Sequence, residues 1–276
     1  MTTADLLVMI FNVVIYYLLC YYFPYSFLEY TPVCCLNEAV NYILVDCSVW
    51  LTVAFTVDRS VAICYPKLKA QYCTLRTAQL ITAALCGLSC LKNIAVYFMF
   101  EPVYIIHNVP IRCSIKPTYY TYPGWLAFDW LDTILCPLAP YFLMMVLNAL
   151  TVRHVLAANR KRRSLLGHSR KEGSSDPELQ SRRRSIILLF TISGSFVLLW
   201  MPYVVFFLYS RSTNADYEPY VYTDPLLIAY YTVDMFQLLS SGTNTCIYAL
   251  AQMRFREELI NAMKYPFNLI INLFRK

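Results

Sequence analysis

The sequence has few charged residues and few glycines. Only 14% of its 276 residues are Asp, Glu, Lys or Arg, whereas a soluble domain has roughly 25%. Six Gly and 14 Pro exclude a collagen-like or linker-like chain, and 16% aromatic residues exclude a disordered one. Segments 6–28, 133–152 and 185–210 contain no charged residue at all. Because about 18 consecutive apolar residues are enough to cross a bilayer, these gaps in charge predict a membrane protein.

Motifs of several other protein classes are also missing. The sequence has no C-x-x-C and only three scattered His, so zinc ligation is not expected. It has no G-x-S-x-G or H-E-x-x-H, and we therefore expect no enzyme. A transporter or channel remains as an alternative, but it would need internal repeats or charges arranged along a path. No repeat is visible, and the intramembrane charges are not arranged in repeats: Asp5, Asp46, Lys92 and Asp234.

Six apolar segments predict six membrane spans. Besides the uncharged runs, segments 77–100 and 225–253 hold one charged residue each. The predicted spans have the approximate bounds 4–23, 33–63, 77–98, 125–155, 185–209 and 225–250. The second span carries four ionisable residues, which are costly against lipid, so we expect it to be buried among the other helices.

Positive charge indicates which loops are cytoplasmic. Nine Lys or Arg lie between Arg160 and Arg184, and others lie in the loop at 64–75 and after residue 252. Such loops stay in the cytoplasm. We predict a flexible basic cytoplasmic loop at 157–183 and an amphipathic helix with a cytoplasmic tail at 252–276. A nucleic-acid site is not expected, because the basic clusters adjoin membrane spans.

An ordered set of short motifs carries a resemblance to a known family. The motifs are Ala4-Asp5-Leu6-Leu7, Asp58-Arg59-Ser60, Phe196-x-x-x-Trp200-x-Pro202, Asn244-Thr245-Cys246-Ile247-Tyr248 and Phe255-Arg256. In this order and spacing the chain resembles the rhodopsin-like (class A) G-protein-coupled receptors. It departs from the family at Ser60, where Tyr is usual, and at Thr245, where Pro is usual.

The resemblance implies an all-α integral membrane protein built as a seven-helix receptor bundle. The helix that would precede Asp5 is missing, so we expect an incomplete gene model or a natural truncation, and a non-signalling fragment is an alternative function. An intact member would be a multi-pass plasma-membrane receptor. Its partners would be the bilayer, an extracellular small-molecule or peptide ligand, and a heterotrimeric G protein of the Gq type.

The resemblance also assigns roles to individual residues. It implies a disulfide between Cys34 and Cys113, for which Cys35 is a competing partner. No cofactor is implied except an allosteric sodium ion, with oxygens from Asp5, Ser48, Ser241 and Asn244. The residues implied in G-protein coupling and switching are Asp58, Arg59, Trp200, Pro202, Asn244 and Tyr248.

Unusual strings such as Asp46-Cys47-Ser48-Val49-Trp50 and Lys116-Pro117-x-Tyr119-Tyr120 resemble a neuronal orphan-receptor branch proposed to sense aromatic amino acids. Counting helical turns from Arg59, Pro140 and Asn244 predicts a pocket for an aromatic amine. The predicted ligand residues are Asn41, Tyr42, Asp132, Trp200, Tyr203, Phe207 and Asp234. Lys92 or Arg112 would meet a ligand carboxylate. Alternatively, these two cations pair with Asp132 and Asp234, which then never touch the ligand.

The inner end of the fifth predicted span is entirely basic. It reads Arg182-Arg183-Arg184-Ser185, whereas many family members place an acidic residue there to hold the Arg of the Asp-Arg motif. Arg59 thus has only Asp58 as an expected partner. We expect measurable ligand-independent activity in an intact receptor.

Overall fold

The computed structural model describes residues 2–19, 22–23, 26–166, 177–213 and 223–251. Its first half is helical up to an outer β-hairpin. The elements of this half are α1 (Thr2–Val8), a π-helical continuation (Met9–Leu19), a 3₁₀ turn (Phe27–Glu29), α2 (Thr31–Cys64), α3 (Pro66–Tyr72), α4 (Leu75–Tyr97), β1 (Phe100–Ile106) and β2 (Val109–Ile115).

The second half consists of helices alone in its described part. Its elements are α5 (Thr118–Thr121), α6 (Pro123–Thr133), a π-helical turn (Ile134–Leu138), α7 (Ala139–Leu166), α8 (Pro177–Thr213) and α9 (Pro225–Ala251). Helices α6 and α7 are joined by the π-helical turn without an intervening loop. The helix bends at this turn, because Pro137 lies inside it and Cys136 has non-helical φ and ψ of −150° and 104°.

Among the described residues, four stretches of helix are long and apolar enough to cross a membrane. They are Thr31–Cys64, Leu75–Tyr97, Pro123–Ala158 and Ser185–Ser210. Thr3–Leu19 forms a shorter apolar helix. The last predicted span falls on α9, which has 27 residues and a single charged residue, Asp234. Four of the six predicted spans thus coincide with described helices that are long and apolar enough to cross a membrane.

Helix α2 is the centre of the bundle. It packs against α1, α4, α7 and α8. In the apolar 18-residue stretch of α2, 50% is buried inside the protein, whereas 17% of the corresponding stretch of α4 is buried. This agrees with the expectation that the span with the most ionisable residues is surrounded by other helices.

The predicted loops are more structured than expected. Helix α7 continues to Leu166, and α8 begins at Pro177, so the predicted flexible loop at 157–183 is wrong at both of its ends. Residues 157–166 are mostly Ala, Arg, Lys and Leu, which favour helix, and proline suits the first helical turn. The basic loop at 64–75 likewise contains α3. Residues 167–176 and the predicted amphipathic segment 252–276 lie outside the described residues.

The long aromatic loop predicted after α4 contains an antiparallel β-hairpin. Strands β1 and β2 pair from Phe100 with Ile115 to Ile106 with Val109. The turn is two residues long, and both of them have positive φ, 50° at His107 and 61° at Asn108. Such turns match the twist of the strands, but they usually carry Asn-Gly or Asp-Gly, and neither pair occurs at this turn.

Candidate functional site

One face of α8 carries an aromatic column. Phe196, Trp200, Tyr203 and Phe207 follow one another at spacings of four, three and four residues, which aligns them on a helix. The rings of Phe196 and Trp200 stack at 5.4 Å, and Tyr203 meets Trp200 edge-on at 6.0 Å. Phe207 contacts Trp130 of α6 at 5.4 Å. The structure thus brings three of the predicted ligand residues onto one face of α8.

Asn41 and Tyr42 are the two predicted ligand residues on α2. Asn41 is 7% exposed, and its Oδ1 atom is buried without a hydrogen-bond partner among the described residues. Tyr42 packs against a cluster that includes Tyr119. It is also close enough to Asp132 and Tyr203 to interact with them electrostatically. The unpaired, buried Asn41 oxygen can accept a hydrogen bond from a donor group.

The two predicted carboxylates have different partners. Asp132 is ion-paired with Lys92 of α4, as in the alternative derived from the sequence. Asp234 instead accepts a hydrogen bond of 2.7 Å from the Tyr17 hydroxyl. Arg112 pairs with Glu29 at 2.8 Å. Both cations considered for a ligand carboxylate are therefore engaged by carboxylates of the protein.

A cavity lies beside Trp200, on its cytoplasmic side. It reaches from Asp234 past Asn12 and Ser48 to Ser241 and Asn244. Ser48 hydrogen-bonds to Asp5 Oδ1. The atoms Asp5 Oδ2, Asn12 Oδ1 and Asn244 Oδ1 are buried and have no hydrogen-bond partner in the described part of the chain.

The oxygens around Asp5 fit a hard monovalent cation. Asp5 is 1% exposed, and Ser48, Ser241 and Asn244 are 5%, 8% and 2% exposed. No group of three or more His, Cys, Asp or Glu that could hold a metal ion occurs among the described residues. Any ion at this position would thus be held by one carboxylate and by neutral oxygens, a donor set that suits hard cations such as sodium rather than zinc.

The outer end of α2 is tied to the hairpin. Cys34 and Cys113 form a disulfide with a Cα–Cα distance of 5.9 Å, and Cys35 is a buried free thiol. Beside this bond, the Thr31 hydroxyl donates to the Arg112 carbonyl oxygen at 2.7 Å. The disulfide, this hydrogen bond and the ion pair between Arg112 and Glu29 therefore hold β2 over the outer end of the bundle.

The cytoplasmic end of α2 carries the Asp-Arg pair. Arg59 donates from Nε and Nη2 to the same Asp58 oxygen, at 2.9 and 2.5 Å, and its guanidinium lies 5.3 Å from the Phe55 ring centre. Within the described part of the chain, Asp58 is the only ion-pair partner of Arg59. The Cys73 thiol lies 3.9 Å from the Asp58 carbonyl oxygen.

The inner halves of the helices are joined by neutral hydrogen bonds. Asn148 of α7 donates to the Ser193 hydroxyl of α8 at 2.7 Å, and Thr151 of α7 donates to the Ser60 hydroxyl of α2 at 3.2 Å. Pro202 lies inside α8, and Asn244 is buried in α9. The side chain of Tyr248 lies outside the described residues.

A family model described as 7 transmembrane receptor (rhodopsin family) matches residues 1–248 of this 276-residue chain. The chain belongs to this receptor family. Membership makes it a multi-pass membrane protein of the G-protein-coupled receptor class, and such receptors are in general not enzymes. Ligands and G proteins are the general partners of the family.

Several residues that contact or neighbour the predicted site residues were missed in the sequence. Asn12 lies seven residues, or two helical turns, after Asp5, and this spacing in an apolar span could have placed both on one face. Tyr17 had no such signal, because its partner Asp234 is 217 residues away. The ion pair of Glu29 and Arg112 had no sequence signal either, because it joins two separate outer segments of the receptor.

Proposed function

We propose that the receptor binds an extracellular small molecule that carries an aromatic group and a cationic amine, and that it signals through a Gq-type G protein. The observation that carries the proposal is the proximity of the aromatic column on α8 to two carboxylates, Asp132 and Asp234. Aromatic faces attract a cation by roughly 0.5–2 kcal/mol, and a carboxylate in a low-dielectric site adds Coulomb attraction.

Aromatic amino acids and the amines related to them are the proposed ligand class. The class rests on the resemblance of the loop strings to the orphan-receptor branch. The amine is the group that the cavity favours. A ligand carboxylate would have to compete with Asp132 for Lys92 or with Glu29 for Arg112, so we base the proposal on the amine alone.

Ligand binding would act by shifting a two-state equilibrium. A ligand favours the state in which its contacts are stronger. In the proposed active state the inner halves of α2 and α8 separate, and a groove opens for a helix of the G protein. Arg59, at the end of α2, would then contact that helix. Pro202 and Trp200 would allow α8 to bend at the level of the ligand.

We also propose a plasma-membrane location and an allosteric sodium ion near Asp5. The disulfide of Cys34 and Cys113 supports an outer face in an oxidising compartment. Asp5, Ser48, Ser241 and Asn244 would hold the ion, which would supply a positive charge that compensates the buried carboxylate. The unpaired Asp5 Oδ2 atom supports this assignment.

The pocket is tested by substitution in the intact receptor. Asp132→Asn, Asp234→Asn and Tyr203→Ala should each lower the potency of an aromatic amino acid and amine panel by about tenfold, as expected when a buried contact to a charged group is lost. Tyr209→Ala is the matched control, because Tyr209 is on the same helix but is 52% exposed. If all three variants keep the parent's potency and surface level, the pocket assignment is wrong.

A further inference from the structure

Three helices meet at a buried ionic cluster that the proposed pocket uses only in part. The Lys92 ammonium of α4 lies 2.7 Å from Asp46 Oδ2 of α2, and it also contacts Asp132 Oδ1 of α6. The side chains of Lys92, Asp46 and Asp132 are only 15%, 7% and 17% exposed. We refer to these three residues as the ionic triad.

The triad is not charge-balanced. It contains one ammonium and two carboxylates, which leaves a formal charge of −1 when all three are ionised. An uncompensated buried charge is unfavourable, whereas buried ions are tolerated when they are paired and hydrogen-bonded. One further positive charge would complete the pairing of the triad.

The two carboxylates depend on Lys92 to different degrees. Asp46 Oδ2 also accepts a hydrogen bond of 2.6 Å from Asn93 Nδ2, and Asn93 is fully buried and braced by the Ser89 carbonyl oxygen at 2.9 Å. For Asp132, Lys92 is the side-chain partner that the described structure shows. Asp46 therefore keeps a hydrogen-bond donor without Lys92, whereas Lys92 is the partner that the described structure gives Asp132.

Asp132 lies on the side of the triad that faces the proposed pocket. It is within electrostatic range of Tyr42 and Tyr203. Four residues later, Cys136 belongs to the same buried cluster as Trp200, against which Tyr203 packs. The chain between them enters the π-helical turn Ile134–Leu138, an irregularity of the kind often found at functional sites.

We propose that Lys92 is a tethered counter-ion that occupies Asp132 in the unliganded receptor, and that the ligand's ammonium group competes with it there. In the bound state Lys92 pairs with Asp46, the ligand pairs with Asp132, and both carboxylates are neutralised. This inference rests on the proposed function, because it uses the aromatic amine ligand that is proposed there. Lys92 and Asp46 then set the affinity of the receptor for the ligand, although neither residue contacts it.

Two variants with opposite expected effects test this competition. Asp46→Asn leaves Lys92 with Asp132 as its only carboxylate, so the binding of an aromatic amine should weaken by about tenfold. Asp46→Asn combined with Lys92→Met keeps the formal charge of −1 but removes the competing cation, so binding should tighten by a similar factor. The measurement is radioligand binding of tryptamine to the full chain in nanodiscs, with indole-3-acetate as the anionic comparison.

Lys92→Arg is the control that keeps the competing cation, and it should bind tryptamine within about threefold of the parent, since the ion pair is retained. Asparagine and methionine preserve side-chain size, and disulfide formation in each preparation reports folding. Equal tryptamine affinity in the parent and both Asp46 variants, or no binding by any of them, would overturn the proposal. So would tighter binding by Asp46→Asn alone.

Failure of this inference is separable from failure of the proposed function. Binding that follows the predicted order without any G-protein activation would support the counter-ion role and contradict signalling. Signalling that depends on Asp132 but is indifferent to Lys92 and Asp46 would support the proposed function and overturn the competition.

Discussion

Ser48 donates its hydroxyl hydrogen to one carboxylate oxygen of Asp5, and the other oxygen of Asp5 is buried without a partner among the described residues. The two residues belong to α2 and α1, so their hydrogen bond joins two helices. A buried carboxylate with half of its acceptor capacity unused is unfavourable unless a proton or a cation completes it. We therefore predict that the stability of the receptor depends on the cation that is present.

Sodium should stabilise the receptor, and Asp5→Asn should remove the effect. Binding to the folded state alone adds RT ln(1 + [L]/Kd), which is about 1.4 kcal/mol at roughly ten times Kd. We expect the Tm of the purified receptor to be higher in sodium chloride than in choline chloride of the same ionic strength. The Asp5→Asn variant should show the same Tm in both salts.

Two neighbouring serines provide a matched pair for the same experiment. Ser241 belongs to the proposed sodium site, and Ser240 also lines the cavity but is not part of the site. Ser241→Ala should reduce the sodium-dependent shift in Tm, and Ser240→Ala should leave it unchanged. A sodium shift that persists in Asp5→Asn would show that the ion, if it binds, binds elsewhere.

Loss of the outer disulfide should destabilise the receptor strongly. Cys34 and Cys113 are 79 residues apart in the sequence, and a bond that closes a loop of this length contributes about 4 kcal/mol by restricting the unfolded chain. Cys113→Ser should therefore lower the Tm and the surface level. Cys35→Ser is the control, since it removes only a buried thiol. Peptide mapping that finds Cys113 free or bonded to Cys35 would contradict the pairing.

The Cys73 thiol should react slowly at neutral pH. Burial raises the pKa of Cys73, and its contact with the Asp58 carbonyl and the negative charge of Asp58 raise it further. A raised pKa favours the neutral thiol, which is the unreactive form. Alkylation of Cys73 by iodoacetamide at pH 7.4 should therefore be slower than that of a free cysteine peptide, and it should accelerate as the pH rises.

Removing the nearby charge gives the internal test of this explanation. Asp58→Asn should increase the alkylation rate of Cys73, because the thiolate is no longer repelled. A cysteine introduced at an exposed position of α3, Gln71→Cys, supplies the rate of an accessible thiol in the same loop. Equal rates at Cys73 and at the introduced cysteine would contradict a raised pKa.

The sequence predicted the features that depend on local pattern. Uncharged runs located most of the helices, and counting helical turns placed Tyr203 one turn from Trp200, which the structure shows in contact. The family spacing of Cys34 and Cys113 implied the bond that the structure contains. In these cases a few residues on one helix, or one motif, carry the whole signal.

Features that depend on contacts between distant segments could not be predicted in this way. Lys92 was considered as a partner of Asp132, but its second carboxylate, Asp46, lies on another helix and gave no signal. The hydrogen bond from the Tyr17 hydroxyl to Asp234 joins two helices from opposite ends of the chain. Positive charge located the cytoplasmic side at 157–183, but charge does not fix backbone conformation, so the extension of α7 to Leu166 was missed.

Coupling to a G protein through Arg59 is the property on which the proposed function depends. The inner end of α8 reads Arg182-Arg183-Arg184, which would repel Arg59 and favour separation of α8 from α2 without a ligand. The most direct measurement is ligand-independent G-protein activation in cells that express the receptor. It should exceed that of empty cells and disappear in Arg59→Ala at equal surface level, while Arg76→Ala, an exposed cation of α4, should leave it unchanged. A baseline no higher than that of empty cells, or one that survives Arg59→Ala, would contradict the assignment.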